Sequence, residues 1–331
     1  MPEITLLAEA ELRGLLTLDR GIVDCIAGAF EALATKPVVM PPILHLEIAE
    51  ANGEIDVKTA YVPGLDVLAM KMSPGFFDNP KIGLPSLNGL MVVFSARTGM
   101  VEAILLDNGY LTDLRTAAAG GVAADRLARQ DATRAGIVGA GVQARLQLQA
   151  LSLVRPLERA FVWSRDGGGK AEACAQEMTD VLGVPVHSAA DIGKLAAECD
   201  IVVTTTPATR PLIEAAHLHP GLTVIAMGSD APTKNEIAPA ALAAADGYFC
   251  DRLSQVRLVG ELHHALEAGV VDAHASFAEL GEVIAGLKPG RVSDDHCLIC
   301  DLTGTGVQDT AIAALAVTRA RAAGAGTRFQ S

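Results

Sequence analysis

One stretch of the chain combines residue types and spacing suited to holding an anion. Gly139-Ala140-Gly141-Val142-Gln143-Ala144 fits the pattern G-x-G-x-x-A. The apolar run Arg134 to Val138 precedes it. Gln143 to Val154 follows, with Leu146, Leu148, Leu151 and Val154 at helical spacing. A second apolar run, Ala160 to Trp163, comes after a proline turn. Strand, glycine turn, helix and strand form the context in which this motif marks a dinucleotide site. Gly139 permits the tight turn, Gly141 lets a pyrophosphate approach the backbone, and Ala144 lets the helix lie against the strand. The helix N-terminus then offers its N–H groups and the positive end of its dipole to the diphosphate. A βα turn without a ligand is the plainer alternative, and the flanking elements weigh against it.

Two further groups invite chemistry. Trp163-Ser164-Arg165-Asp166 ends the second strand of the motif. An acidic residue there binds the ribose hydroxyls of NAD, whereas an arginine favours the extra phosphate of NADP. Both are present, so these residues leave NAD and NADP open, and the choice of NAD comes with the resemblance described below. Cys297 and Cys300 form a C-x-x-C beside His296. However, CLICDLTG reads as a buried strand running into a loop, and no second cysteine pair lies nearby. A structural role is therefore expected, and no metal site.

These residues need elements to position them. Residues 3–35 read as a short strand followed by helix, with Leu12, Leu15, Leu16, Ile22, Ile26, Phe30 and Leu33 on apolar faces. His45 to Ile48, Glu54 to Tyr61 and Val67 to Met72 read as strands, with Asn52-Gly53 as a hairpin turn. Ser73 to Asn88 holds three prolines and two glycines and reads as a long irregular loop. Leu90 to Ser95 and Val101 to Leu106 are strands, and Tyr110 to Leu127 is a long helix. From Arg134 strands and helices alternate, which predicts a parallel sheet covered by helices. Ser188 to Cys199 reads as a helix capped by Ser188. Asp251 to Ala268 and Ser276 to Ala285 also read as helices. The chain ends with strand Cys297 to Asp301, the turn Thr303-Gly304-Thr305-Gly306, and a helix from Val307 to about Ala322. Ligands of open α/β sheets bind beyond the carboxyl ends of the strands. The loops after Val138, Trp163, Thr205 and Met227 are therefore expected to ring the cofactor, with Asp230 at the rim.

Composition sets bounds. A chain of 331 residues, half of them apolar, predicts about two domains with sizeable cores. A formal net charge of −13 weighs against nucleic acid or an anionic membrane as partner. The start, MPEITLLAEAEL, lacks a basic, apolar leader, and no apolar run is long enough to span a bilayer. A cytoplasmic protein with six reduced cysteines is the expectation.

The ordered motifs carry a family resemblance. Lys71, Asn79-Pro80, Gly83-Leu84-Pro85, Leu111-Thr112-Asp113-Leu114-Arg115-Thr116-Ala117-Ala118, the glycine turn, Gly228-Ser229-Asp230 and Gly304-Thr305-Gly306-Val307-Gln308-Asp309 resemble the ornithine cyclodeaminase and μ-crystallin family along nearly the whole chain. Within it, KTAYVPG, SPGFFDNPKIGLPSLNGLMVV and LLDNGYLTDLRTAAAG are most similar to its iminosuccinate reductases and to its cyclodeaminase-like proteins of ectoine utilisation. The resemblance implies a homodimer. It implies a Rossmann dinucleotide-binding domain at 118–303 and an α+β substrate-binding and dimerisation domain built from 1–117 and 304–331. It places Thr112, the run Gly139 to Ala144, Ser164, Arg165, Asp166, Thr205, Thr206, Met227, Gly228, Ser229 and Gly304 around NAD.

The resemblance also assigns chemistry. It puts Lys71 and Arg115 on the substrate carboxylate, Lys58 at a further cationic substrate contact, and Asp230 as acid or base beside the reacting carbon. The residue types suit these roles. A guanidinium grips a carboxylate in two bonds, a compact ammonium can polarise an imine, and a carboxylate can move a proton at nitrogen. One departure stands out. Ornithine cyclodeaminases carry Gly-Asp-x-Pro-Gly-Lys around the aspartate, whereas this chain has Gly228-Ser229-Asp230-Ala231-Pro232-Thr233-Lys234. Three cations exceed the need of one carboxylate and would repel a distal amine. The expected reaction is hydride transfer from NADH to the C=N carbon of a dicarboxylate, iminosuccinate to aspartate. A cyclodeaminase-type lyase using NAD catalytically, and a non-enzymatic binding protein, are the alternatives.

Overall fold

The computed structural model describes residues 3–330. In chain order it contains β1 (Glu3–Ala8), α1 (Glu9–Leu15), α2 (Arg20–Thr35), β2 (Leu44–Ile48), β3 (Gly53–Ala60), β4 (Val67–Phe76), β5 (Leu90–Ser95), β6 (Val101–Leu106) and α3 (Tyr110–Leu127). Next come β7 (Arg134–Val138), α4 (Val142–Ser152), β8 (Arg159–Trp163), α5 (Gly169–Leu182), β9 (Val186–Ala189), α6 (Ile192–Glu198), β10 (Ile201–Thr204) and β11 (Thr223–Ala226). The last are α7 (Pro239–Ala244), β12 (Gly247–Cys250), α8 (Leu253–Val256), α9 (Glu261–Glu267), β13 (Ala278–Glu279), α10 (Leu280–Ile284), β14 (Leu298–Asp301), α11 (Gly306–Ala323) and β15 (Thr327–Gln330). They form two compact units, one of residues 3–17, Asp24–Arg115 and 305–330, the other of Leu18–Val23 and Thr116–Gly304.

The first unit is a seven-stranded sheet in the order β15-β1-β6-β5-β4-β3-β2. All its pairs are antiparallel except β1 with β6. Strand alternation gives it two unlike faces. Lys58 and Ala60 on β3, and Val67, Ala69 and Lys71 on β4, are buried on the side where α11 packs. Thr310 of α11 ties that packing, accepting from Ala69 N at 3.2 Å and donating to Ala60 O at 2.9 Å. The opposite face carries Leu44, Leu46, Met70 and Leu106, all exposed.

The second unit is an all-parallel sheet in the order β13-β12-β14-β11-β10-β7-β8-β9. Its central strands β10 and β11 are buried at every residue and apolar except for Thr204 and Thr223, as a sheet covered on both faces requires. The chain runs outward one way from β7 through β8 to β9, and the other way from β10 to β11. The order therefore reverses between β7 and β10, the switch point at which such sheets bind ligands. Arg155, 4% exposed, closes the end of α3 by donating to the carbonyls of Ala124, Asp125 and Ala128 at 3.0–3.1 Å.

Several local expectations need correction. β4 continues through Pro74 to Phe76, because Ile55 and Glu54 of β3 pair with Pro74 and Gly75. The irregular loop is correspondingly shorter. Ser188 belongs to β9, paired with Val162, so it cannot cap a helix. The cap of α6 is Asp191, which accepts from Lys194 N at 2.9 Å. Asp251 to Ala268 is not one helix. Asp301 Oδ2 accepts from Glu261 N and Leu262 N and so starts a new helix, α9. Ser276 to Ala285 opens as strand β13, paired with β12, before α10 begins. Helices α5 and α7 and strand β15 are further elements, beyond those that the sequence pattern predicts. The cysteines of C-x-x-C are buried free thiols on or beside β14.

Candidate active site

In the second unit the nucleotide-type residues converge by topology. The run Gly139 to Ala144 follows β7, Ser164 to Asp166 follow β8, Thr205 and Thr206 follow β10, and Met227 to Asp230 follow β11. Gly304 follows β14. These strands are neighbours in the order β14-β11-β10-β7-β8, so all five loops lie at one edge of the sheet. Gly139 N donates to Trp163 O at 2.9 Å and Thr205 N to Val138 O at 2.9 Å, which fastens the strand tips together.

The turn fits a bound diphosphate. Gly139 has φ +129°, and a Cβ there would meet Thr205 Oγ1 at 2.4 Å. Gly141, the cap of α4, has open space within 4 Å of where a Cβ would stand. That is the approach a pyrophosphate needs. Ala144 is fully buried against the sheet. Arg145 Nη1 donates to Ala140 O at 2.9 Å and Gly141 O at 3.1 Å, stiffening the turn. Asp166, at the tip of β8, accepts from Ser164 Oγ at 2.6 Å and Lys170 N at 3.0 Å. The Ser164 hydroxyl holds its carboxyl below the usual range. A fixed anion here opposes a second phosphate. Arg165 is exposed.

The loop after β11 is closed on itself. Asp230 Oδ1 pairs with Lys234 Nζ at 2.6 Å, and Ser229 Oγ donates to Lys234 O at 2.5 Å. The Asp230 side chain keeps 43% of its surface exposed, so the carboxylate is both held and reachable. Glu236, six residues beyond Asp230, bonds to Thr204, Thr206 and Gly228.

The first unit holds the cations. Lys58 and Lys71 are cross-strand partners on β3 and β4, facing α11. They are 5% and 2% exposed, and Arg115 on α3 is 7% exposed. Asp309, on the first turn of α11 and fully buried, joins them: Lys71 Nζ is 3.2 Å from Oδ2, and Arg115 Nε is 3.1 Å from Oδ1. Among the described residues the two terminal nitrogens of Arg115 make no hydrogen bond. The planar fork therefore has its outer edge open to a carboxylate. Burial lowers Lys71 to about 7, and the neighbouring Arg115 and Lys58 charges add to the fall, against the opposing pull of Asp309. Asp107 caps α3 by accepting from Leu111 N at 2.8 Å, while its other oxygen is buried without a hydrogen-bond partner among the described residues. Thr112 stands in the first turn of α3, partly buried.

Asp309 is the functional residue that the motif contained without revealing its task. Gly304 to Asp309 marks a turn and a helix start, but only the fold shows that this carboxylate meets Lys71 from the other end of the chain. Removing one partner from a buried charge group costs about 3–5 kcal/mol. Asp309→Asn should therefore lower the unfolding free energy by that order, read as a lower urea midpoint at unchanged m, and Lys71→Met added to it should recover part of the loss. A midpoint equal to wild type for Asp309→Asn would mean that the carboxylate does not balance these cations.

The comparisons agree with this geometry. The family model of the ornithine cyclodeaminase/mu-crystallin family matches residues 3–324. The chain is 60% identical over 331 residues, all of both chains, to a provisionally named dehydrogenase of Rhizobium meliloti. The structure of Δ1-pyrroline-2-carboxylate reductase of Thermococcus litoralis, in complex with NADH and L-proline, matches at TM-score 0.92 and 28% identity, covering 98% of this chain and 99% of that one. The iminosuccinate reductase of Paracoccus denitrificans, in complex with NAD+, matches at TM-score 0.91 and 30% identity over the full length of both chains. The chain belongs to the ornithine cyclodeaminase/mu-crystallin family.

Proposed function

We propose that the protein is an NAD-dependent imine reductase whose substrate is a dicarboxylate, iminosuccinate, reduced to aspartate. The observation that carries this reading is the buried cation set with the open Arg115 fork. Lys58 and Lys71 stand side by side on neighbouring strands, and Arg115 shares the Asp309 carboxylate with Lys71, so three cations gathered at one buried site favour an anionic substrate, and a dicarboxylate more than a diamino acid. Relatives in this family act on imines with NADH or NAD+ bound, and the glycine turn and the Asp166 anion suit NAD.

In this reading Arg115 grips the carboxylate beside the imine carbon, and Lys58 holds the distal one. Lys71 draws electron density from the substrate as an ammonium. Bound NADH supplies the hydride. Asp230 serves the proton at the substrate nitrogen, and the Lys234 ammonium at 2.6 Å keeps its carboxylate turned for the task. We also propose a homodimer. The exposed face bearing Leu44, Leu46, Met70 and Leu106 is a continuous apolar surface on a sheet, which a second copy would cover.

The direct test follows NADH oxidation at 340 nm with oxaloacetate plus ammonium, which generates iminosuccinate in the cuvette. Pyruvate plus ammonium, glyoxylate plus ammonium and Δ1-pyrroline-2-carboxylate run beside it. Oxidation with the dicarboxylate, lost in Asp230→Asn by a factor on the order of 10²–10⁴, is the expected result. Oxidation with the monocarboxylates alone would discard the dicarboxylate. Ammonia release from a diamino acid without net NADH consumption would replace the reductase by a cyclodeaminase.

The pH dependence follows from Lys71. Below about 7 it is protonated and carries its charge; above, it is neutral and one cation is lost. kcat/KM for the dicarboxylate should fall as pH rises through that value. Lys58→Met removes one of the charges that depress Lys71, so the limb should move to higher pH. The same change should raise KM for the dicarboxylate on the order of tenfold, by loss of a charge-assisted contact, and affect Δ1-pyrroline-2-carboxylate far less. Equal effects on both substrates would remove Lys58 from the distal carboxylate. For the assembly, light scattering should give twice the chain mass, and Met70→Glu should shift it toward the monomer. A monomeric wild type would refute the dimer.

A further inference from the structure

Glu236 is a fully buried charge that the reaction above does not use. Its carboxylate receives four hydrogen bonds. Oε1 accepts from Thr206 N and Thr206 Oγ1, both at 2.6 Å. Oε2 accepts from Thr204 Oγ1 at 2.6 Å and Gly228 N at 2.8 Å. Thr204 is the last residue of β10, and Gly228 lies two residues beyond β11. A single side chain thus clasps the carboxyl ends of two adjacent parallel strands. One of the joined loops continues through Ser229 into Asp230.

The chemistry of the clasp calls for a carboxylate. Each oxygen faces one backbone N–H, which can only donate. An amide would turn its NH2 against one of them. A protonated acid would spend one oxygen as a donor. Four donors at 2.6–2.8 Å therefore select the anion. Burial pushes Glu236 upward from the usual carboxylate range, and those same donors oppose the rise.

The clasp has a firm base. Glu236 N donates to Glu261 Oε1 at 2.9 Å, and Ile237 N and Asn235 Nδ2 donate to Glu261 Oε2 at 3.1 and 2.6 Å. Glu261 N in turn donates to Asp301 Oδ2 at 2.8 Å, at the end of β14. There is little slack above it. A Cβ on Gly228 would stand 2.1 Å from Thr206 O and 2.5 Å from Glu236 Oε2.

We infer that Glu236 is a positioning residue, whose carboxylate holds the loops bearing Thr206 and Asp230 in register with each other at the nucleotide edge of the sheet. The inference rests on the nicotinamide-dependent reading, so its test begins with cofactor binding. The dissociation constant of NADH is measured from its own fluorescence for wild type and Glu236→Gln, without substrate. Steady-state kinetics with the preferred imine then give kcat and KM. Glu236→Gln should weaken NADH on the order of tenfold. It should lower kcat on the order of 100-fold, the scale of an ångström-sized misplacement, with KM for the imine within about twofold.

Should Glu236→Gln not fold, Thr204→Val removes one donor and keeps the charge. It should lower kcat and NADH affinity several-fold with the imine KM unmoved. A folded Glu236→Gln, or Thr204→Val in its place, with wild-type NADH affinity and kcat and only a lower melting temperature would overturn the inference. Wild type that binds NADH but reduces no imine would end the reductase reading, and the NADH affinity of the variant would still judge Glu236. Wild type that binds no NADH would overturn both.

Discussion

Charges removed from water dictate much of this architecture. A buried ion persists only beside a counter-ion or inside a full set of hydrogen bonds. The first unit uses the former solution. Asp309 stands between Lys71 and Arg115, each about 3 Å away, with none of the three more than 7% exposed. Lys71 comes from a strand in the first quarter of the chain and Asp309 from the last helix. Their pairing therefore ties the two chain ends into one body. β15 repeats the tie at the sheet edge by pairing with β1.

The second unit uses the latter solution. Glu236, Glu261, Asp251 and Asp301 are all buried, and their neighbours in these bonds are N–H and O–H donors rather than cations. Each carboxylate gathers backbone donors at the carboxyl end of a parallel strand or at the start of a helix. Short strands followed at once by loops leave such donors unpaired, and buried donors must be met. The acids thus serve the edge of the sheet where the ligand loops lie.

The two solutions suit different chemistry. Buried cations beside a buried carboxylate make a field whose strength follows the protonation of Lys71 near neutrality. Carboxyl groups that gather backbone and hydroxyl donors contribute order instead. Asp230 differs from both: its side chain is 43% exposed and its carboxylate pairs with Lys234.

Much of this was readable in the residues themselves. The period of Arg134 to Trp163 and the glycines at 139 and 141 are local signals. A turn that needs positive φ and a helix that needs close approach leave marks in adjacent residues. The same holds for the Asn52 hairpin and the helix Tyr110–Leu127. Motif order marked Lys58, Lys71, Arg115 and Asp230 as residues of interest. Local reading failed where a distant partner decides the state of a segment. Ser188 looks like a cap until Val162 claims it for a strand. Asp251 to Ala268 looks like one helix until the Asp301 carboxylate restarts it. The sequence by itself determined the fold class and the dinucleotide turn, because both depend on neighbours within a few residues. Distant contacts alone bring Asp309 to Lys71 and Arg115, lower Lys71 to about 7 by burial, and let Glu236 join two strand ends. Burial and contacts across 200 residues or more, as between Lys71 and Asp309, have no local signature.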